Sequence, residues 1–105
     1  QLVTGVDDDG IVPANYSISQ NYPNPFNPTT TISYSIPVRS RVSIQVYDIT
    51  GSLVATLFNN EQNAGKYQVK WNGLNSFGSQ VSTGVYLVRF NAGDYTNTIK
   101  MMLLK

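Results

Sequence analysis

From Tyr16 onward, apolar and polar residues alternate in short runs, and turn residues separate the runs. Tyr16-Ser17-Ile18-Ser19-Gln20 alternates and reads as a first, edge strand. Thr31 to Ile36 sets Ile32, Tyr34 and Ile36 on one face and Ser33 and Ser35 on the other, and Pro37 ends it. Val42, Ile44 and Val46 form the next inward face, with Arg41, Ser43, Gln45 and Tyr47 outward. Asp48-Ile49-Thr50-Gly51 is a turn, the glycine supplying a positive φ. Leu53 to Phe58 is a fourth strand and residues 59–65 a polar loop. Tyr67, Val69 and Trp71 face inward on the fifth strand, with Lys66, Gln68 and Lys70 outward, before a long loop from Asn72 to Thr83. Val85 to Phe90 follows, with Tyr86, Val88 and Phe90 on one face. After a turn at Ala92-Gly93-Asp94, the last strand runs from Tyr95 to Leu104 with Ile99, Met101 and Leu103 inside. Seven short strands without a helical period predict an all-β fold, a seven-stranded antiparallel immunoglobulin-like sandwich. Its two sheets should stack about 10 Å apart, with Tyr34, Trp71, Tyr86 and Phe90 as the large fillers.

Two stretches break the alternation. Residues 1–15 show no sustained period and read as an extended linker ahead of a domain spanning 16–105. Within it, Asp7-Asp8-Asp9-Gly10 invites comparison with a calcium loop. Such loops alternate their oxygen ligands, and three adjacent aspartates cannot all point at one ion, so the linker reading is favoured. The second break is Asn21-Tyr22-Pro23-Asn24-Pro25-Phe26-Asn27-Pro28. Its prolines lack the N–H that a ladder or helix needs, so it should be an ordered, extended loop, with Phe26 placed to plug an open end of the sandwich.

Composition narrows the chemistry. Charged residues make up 12% of the chain, about half the share in an ordinary soluble domain. Of the six acids, three are Asp7, Asp8 and Asp9; from Tyr16 onward Asp48, Glu61 and Asp94 face seven Lys and Arg, a balance of +4. That is too weak and scattered for nucleic acid. No apolar run approaches a membrane span and no signal peptide opens the chain, so an export peptide would sit on a longer precursor; Gln1 starts mid-phrase, as a fragment from the end of such a chain would. With no histidine and no cysteine, the triads and the commonest transition-metal sites are ruled out. The carboxylates of the folded part are far apart, each beside a turn, and Gly73, Gly78 and Gly84 match no phosphate loop. No enzyme, cofactor or metal is expected. Tyr16, Tyr22, Tyr47 and Tyr95 are possible sugar-stacking platforms, although edge covering and loop anchoring explain them more simply.

The proline-rich stretch, continued by Thr29-Thr30, resembles the N-Y-P-N-P-F-N-P-x-T opening of type IX secretion sorting domains. Val46-Tyr47-Asp48-Ile49-Thr50-Gly51 is similar to their V-Y-D-x-x-G segment. Ala64-Gly65-Lys66-Tyr67, then Trp71-Asn72-Gly73-Leu74-Asn75 and Gly78, are similar to A-G-x-Y and W-x-G-x-[ND]-x-x-G. Gly84-Val85-Tyr86 is similar to G-x-Y, and Lys100-Met101-Met102-Leu103-Leu104-Lys105 to the terminal lysine–hydrophobic–lysine ending. Five motifs in order from Tyr16 to Lys105 make the likeness strong. The Trp-Asn-Gly segment is also similar to flagellar hook-capping domains, which lack the proline-rich opening.

The resemblance implies a domain that closes the precursor of an exported protein in a Bacteroidetes-type bacterium. Such a domain folds in the periplasm, is read by an outer-membrane translocon and is usually removed by a surface sortase, its cargo then being released or attached to the cell surface. Cleavage would fall within residues 1–15. Recognition is expected at Lys100–Lys105, where Lys100, Met102, Leu104 and Lys105 form the outward face, and where a partner strand could add to the edge. The rivals are an accessory module, carbohydrate-binding or spacing, of a secreted glycosidase, and a hook-capping-like assembly module.

Overall fold

Alternation becomes two packed sheets. The computed structural model describes residues 3–6 and 12–105; Asp7–Gly10, weighed above as a calcium loop, lies outside the described residues. The strands are β1 (Val3–Val6), β2 (Ser17–Ile18), β3 (Thr30–Ile36), β4 (Ser40–Asp48), β5 (Leu53–Gln62), β6 (Gly65–Trp71), β7 (Gly84–Ala92) and β8 (Tyr95–Leu103), with no helix among the described residues. One sheet has the order β1-β6-β3-β2 and the other β5-β4-β7-β8, every pairing antiparallel. Lettering β2 to β8 as A, B, C, C′, E, F and G sets A-B-E against C′-C-F-G, the immunoglobulin-like partition. The seven expected strands are all present.

The inward faces are those the period-2 pattern marks. Ile32, Ile36, Val42, Ile44, Val46, Val69, Val88 and Phe90 are fully buried between the sheets, as are Met101 and Leu103 of β8. Tyr34 packs on Phe90 (5.1 Å between ring centroids) and Tyr67 (5.6 Å), and Trp71 meets Tyr86 edge-on at 5.3 Å. Burial pushes the Tyr34 phenol far above its usual range, and its hydroxyl donates to Gln62 Oε1 at 2.7 Å.

Two elements depart from the sequence expectation. β5 does not stop at Phe58: Asn59, Asn60 and Glu61 pair with Ser43, Val42 and Arg41, and the expected polar loop shrinks to residues 63–64. β5 is an edge strand whose far end is exposed, so polar side chains there keep their water while the backbone gains a ladder. β1 arises inside the stretch read as linker. It pairs with β6 through Val3↔Val69 and Val6↔Tyr67, in the place strand D takes beside E. Four residues carry too little pattern to announce a strand; the open edge of β6 supplies the partner groups.

Two local devices repeat. Tyr67 and Tyr86 each follow a glycine by two residues, and each hydroxyl donates to the carbonyl four residues earlier, Asn63 O at 2.7 Å and Ser82 O at 2.6 Å. Each G-x-Y segment thus ties the start of a strand to the loop before it. The second device is a five-residue turn at Asp48–Ser52 and again at Asn75–Ser79. In both, the first side-chain Oδ1 accepts the backbone N–H groups of the third and fifth residues, and its carbonyl accepts the glycine N–H. Gly51 (φ 89°) and Gly78 (φ 81°) hold the equivalent left-handed position.

The charge at Asp48 gives the first turn a pH dependence. The Thr50 hydroxyl, then the Ser52 N–H, hold the Asp48 carboxyl below its usual range. A carboxyl depressed in the folded state stabilises above its unfolded pKa, and that contribution is lost as pH falls through the folded value. Asp48→Asn, which copies the Asn75 turn, keeps the acceptor without the charge. The Tm advantage of wild type over Asp48→Asn should shrink on acidification from about pH 7 to about pH 2. A difference that stays constant with pH would exclude the charged acceptor as its cause.

Candidate docking surface at the C-terminal strand

β8 is an edge strand, but its last residues are not left open. Tyr22 and Thr31 exchange two 2.9 Å backbone hydrogen bonds and close the base of the proline-rich loop. Inside that base, buried Asn21 donates to Thr30 Oγ1 (2.9 Å) and the Pro23 carbonyl (3.1 Å), and Thr30 donates to the same carbonyl (2.8 Å). So anchored, the loop lies along the outer edge of β8. Phe26 N–H donates to Met102 O (2.9 Å), Leu104 N–H to Phe26 O (3.0 Å) and Met102 N–H to Asn24 Oδ1 (3.0 Å). Gln20 Nε2 donates to Lys100 O at 2.7 Å. The Phe26 ring, 2% exposed, reaches Trp71 at 5.6 Å and closes the end of the sandwich, as the sequence reading placed it.

The tail motif therefore splits in two. Met101 and Leu103 are wholly buried core residues. Lys100, Met102 (40% exposed), Leu104 (46%) and Lys105 face solvent. The edge is not available for the strand addition considered above, because the outward-facing groups from Lys100 O to Leu104 N already have partners in Gln20, Asn24 and Phe26. What the tail leaves exposed is its side-chain face.

The remaining motif positions are fold devices. Asp48 and Gly51 build the first five-residue turn, with Asn75 and Gly78 forming its copy, and Gly65, Tyr67, Gly84 and Tyr86 make the two ties. Trp71 Nε1 donates to Leu74 O at 2.9 Å, fixing the long loop over the core. Gly73, with a φ of 76°, holds a left-handed position that lets that loop turn beside the proline-rich segment. Asn21, Pro23, Pro25, Phe26 and Pro28 form the loop on β8. The tyrosines weighed as a sugar platform are dispersed. Tyr16 and Tyr95 stack on each other at 5.5 Å, Tyr47 is half-buried, and Tyr22 alone of the four stands fully out at 80% exposure. Among the described residues no cluster of carboxylates fit for a metal occurs, and no helix is long and apolar enough to cross a membrane.

The sequence reading missed the face that surrounds the tail. In the β5-β4-β7-β8 sheet, Tyr47 pairs with Leu53 and Leu87, Leu87 with Lys100, and Val85 with Met102, all on the outer side. The signal was present: Val85 and Leu87 are apolar at positions that the period-2 pattern turns toward water.

The architecture is that of a small sandwich whose recurring motifs brace one end and whose tail is partly displayed. The family described as the secretion system C-terminal sorting domain matches residues 20–104, and the chain belongs to it. Its role is that of a secretion-system sorting signal, a role carried out without catalysis by the domain itself and tied to secretion or cell-surface export. Among solved structures, the chain is similar to PorZ, an essential bacterial surface component of the type IX secretion system of Porphyromonas gingivalis (TM-score 0.56, 24% identity, 86% of this chain and 11% of that one). It is also similar to dimeric latent PorU from Porphyromonas gingivalis (TM-score 0.65, 21% identity, 91% and 10%). These likenesses show a shared fold, and the chain spans about a tenth of the length of either. No curated protein matches it.

Proposed function

We propose that the domain addresses a cargo joined to its N-terminal side to the outer-membrane translocon of the type IX system, by way of the periplasm of a Gram-negative bacterium. Exposed Lys100, Met102, Leu104 and Lys105 contribute to that recognition, and a surface sortase cuts within residues 1–15, after which the cargo is released or attached to the surface. The observation that carries this reading is the division of labour within the family motifs. Nearly all of them brace the sandwich, whereas the terminal one leaves two apolar side chains and two lysines in solvent. A domain that only spaced or bound sugar would have no use for that display.

The test is export of a secreted reporter fused ahead of residues 1–105 in a type IX-competent host. The wild-type fusion should reach the medium or surface, and Met102→Ser with Leu104→Ser should lower export by roughly tenfold, the effect of about 1.4 kcal/mol of lost binding. Both side chains are exposed, so the purified double variant should keep the wild-type Tm within a few degrees. Undiminished export of that variant would remove the tail from the recognition surface.

A further inference from the structure

We infer that the outer face of the β4-β7-β8 sheet is a single docking surface for a protein partner that presents an apolar centre bordered by carboxylates. The inference rests on the sorting role and gives that role's partner its chemistry. The face is ordered by register. Gln45, Arg89 and Thr98 form one row across β4, β7 and β8; Tyr47, Leu87 and Lys100 form the next; Val85 and Met102 form a third. Leu53 of β5, more than half exposed, extends the middle row beside Tyr47. An apolar strip of Leu53, Tyr47, Leu87, Val85 and Met102 therefore crosses all four strands at the tail end of the sheet. A shallow depression of about 270 Å³ opens on it, lined by Tyr47, Gly51, Leu87, Arg89 and Thr98.

Charge decides what fits there. Arg89 and Lys100 are diagonal neighbours, a spacing of roughly 7–8 Å at which like charges disfavour each other. Neither side chain has a hydrogen bond or ion pair to another of the described residues. No side-chain carboxylate of the described residues stands in these rows to offset them. Asp48 is turned into the backbone of its own turn, Glu61 pairs with Arg39 at the other end of the sheet, and Asp94 lies in the β7–β8 turn at that same end. Two unpaired cations beside an apolar strip match the anatomy of a protein interface, where a hydrophobic centre gains its orientation from charges at the border. A nucleic acid would require a broader cationic field and would leave the strip uncovered.

The experiment uses the same reporter fusion with Arg89→Glu and Lys100→Glu together. Export should fall by roughly tenfold or more, because two attractive contacts become repulsive. Gln68→Glu with Lys70→Glu, which adds negative charge to the outer face of the opposite sheet, should export as wild type does. If the reversed pair lowers Tm, Arg89→Gln with Lys100→Gln carries the test, and a smaller export loss at wild-type Tm is then expected. A folded reversed pair exported at the wild-type level, beside an exported wild-type fusion, overturns the surface and leaves the sorting role standing. A wild-type fusion retained in the envelope removes the sorting role and this surface with it. Binding of the purified domain to phosphatidylglycerol vesicles, lost in the reversed pair, would assign the face to a lipid surface and overturn the protein partner.

Discussion

Deleting Met101–Lys105 is expected to abolish cooperative unfolding by the domain, a much larger effect than loss of a surface patch. Met101 and Leu103 are wholly buried, and emptying each site costs about 2–5 kcal/mol, so the pair removes about 4–10 kcal/mol. The total stability of a domain this size is about 5–15 kcal/mol. The deletion also strips Phe26 N–H and Asn24 Oδ1 of their partners at Met102 and leaves Gly84, Val85 and Tyr86 without theirs on β8. A urea titration followed by circular dichroism should show no sigmoidal transition. A truncated domain with a wild-type midpoint would disprove the assignment of these residues to the core. An export defect in such a deletion therefore reports unfolding, whereas the Met102 and Leu104 double variant reports recognition.

Trp71→Ala should be the most damaging single substitution. The indole is 1% exposed, wedged between Phe26 and Tyr86, and its N–H satisfies the Leu74 carbonyl. Truncation costs about 3–5 kcal/mol and leaves that carbonyl without its donor. At roughly 4–8 °C per kcal/mol for a domain of this length, Tm should fall by roughly 12–40 °C. Thermal melts by circular dichroism measure the shift, and a fall of only a few degrees would mean that the cavity collapses without loss. Trp71→Phe, which keeps most of the ring area, should be milder.

The contrast between Trp71 and Gln20 shows how much of the molecule could be read in advance. Trp71, Tyr34, Tyr86 and Phe90 announce themselves because burial follows the alternation of each strand, a property local in sequence. The same rule divides the tail correctly into buried Met101 and Leu103 and exposed Met102 and Leu104. Phe26 was legible too, as an apolar side chain within a stretch whose prolines exclude regular structure. The bonds from Gln20 and Asn24 to β8 join residues about 80 positions apart and follow no period. β1 and the extension of β5 were hidden for a related reason, since both depend on a neighbouring edge more than on their own residues. The face carrying Arg89 was overlooked because outward positions were assigned to water, although Val85 and Leu87 fit that assignment poorly.

The loop laid along β8 also bears on what happens when many copies of the domain are crowded together. A bare terminal strand would present its N–H and C=O groups to the next copy, and sheets from different molecules could merge edge to edge into insoluble stacks. With Gln20, Asn24 and Phe26 holding the groups from Lys100 to Leu104, that template is withdrawn. At that edge the domain leaves its side chains in water while withholding from neighbouring copies the backbone on which they could polymerise.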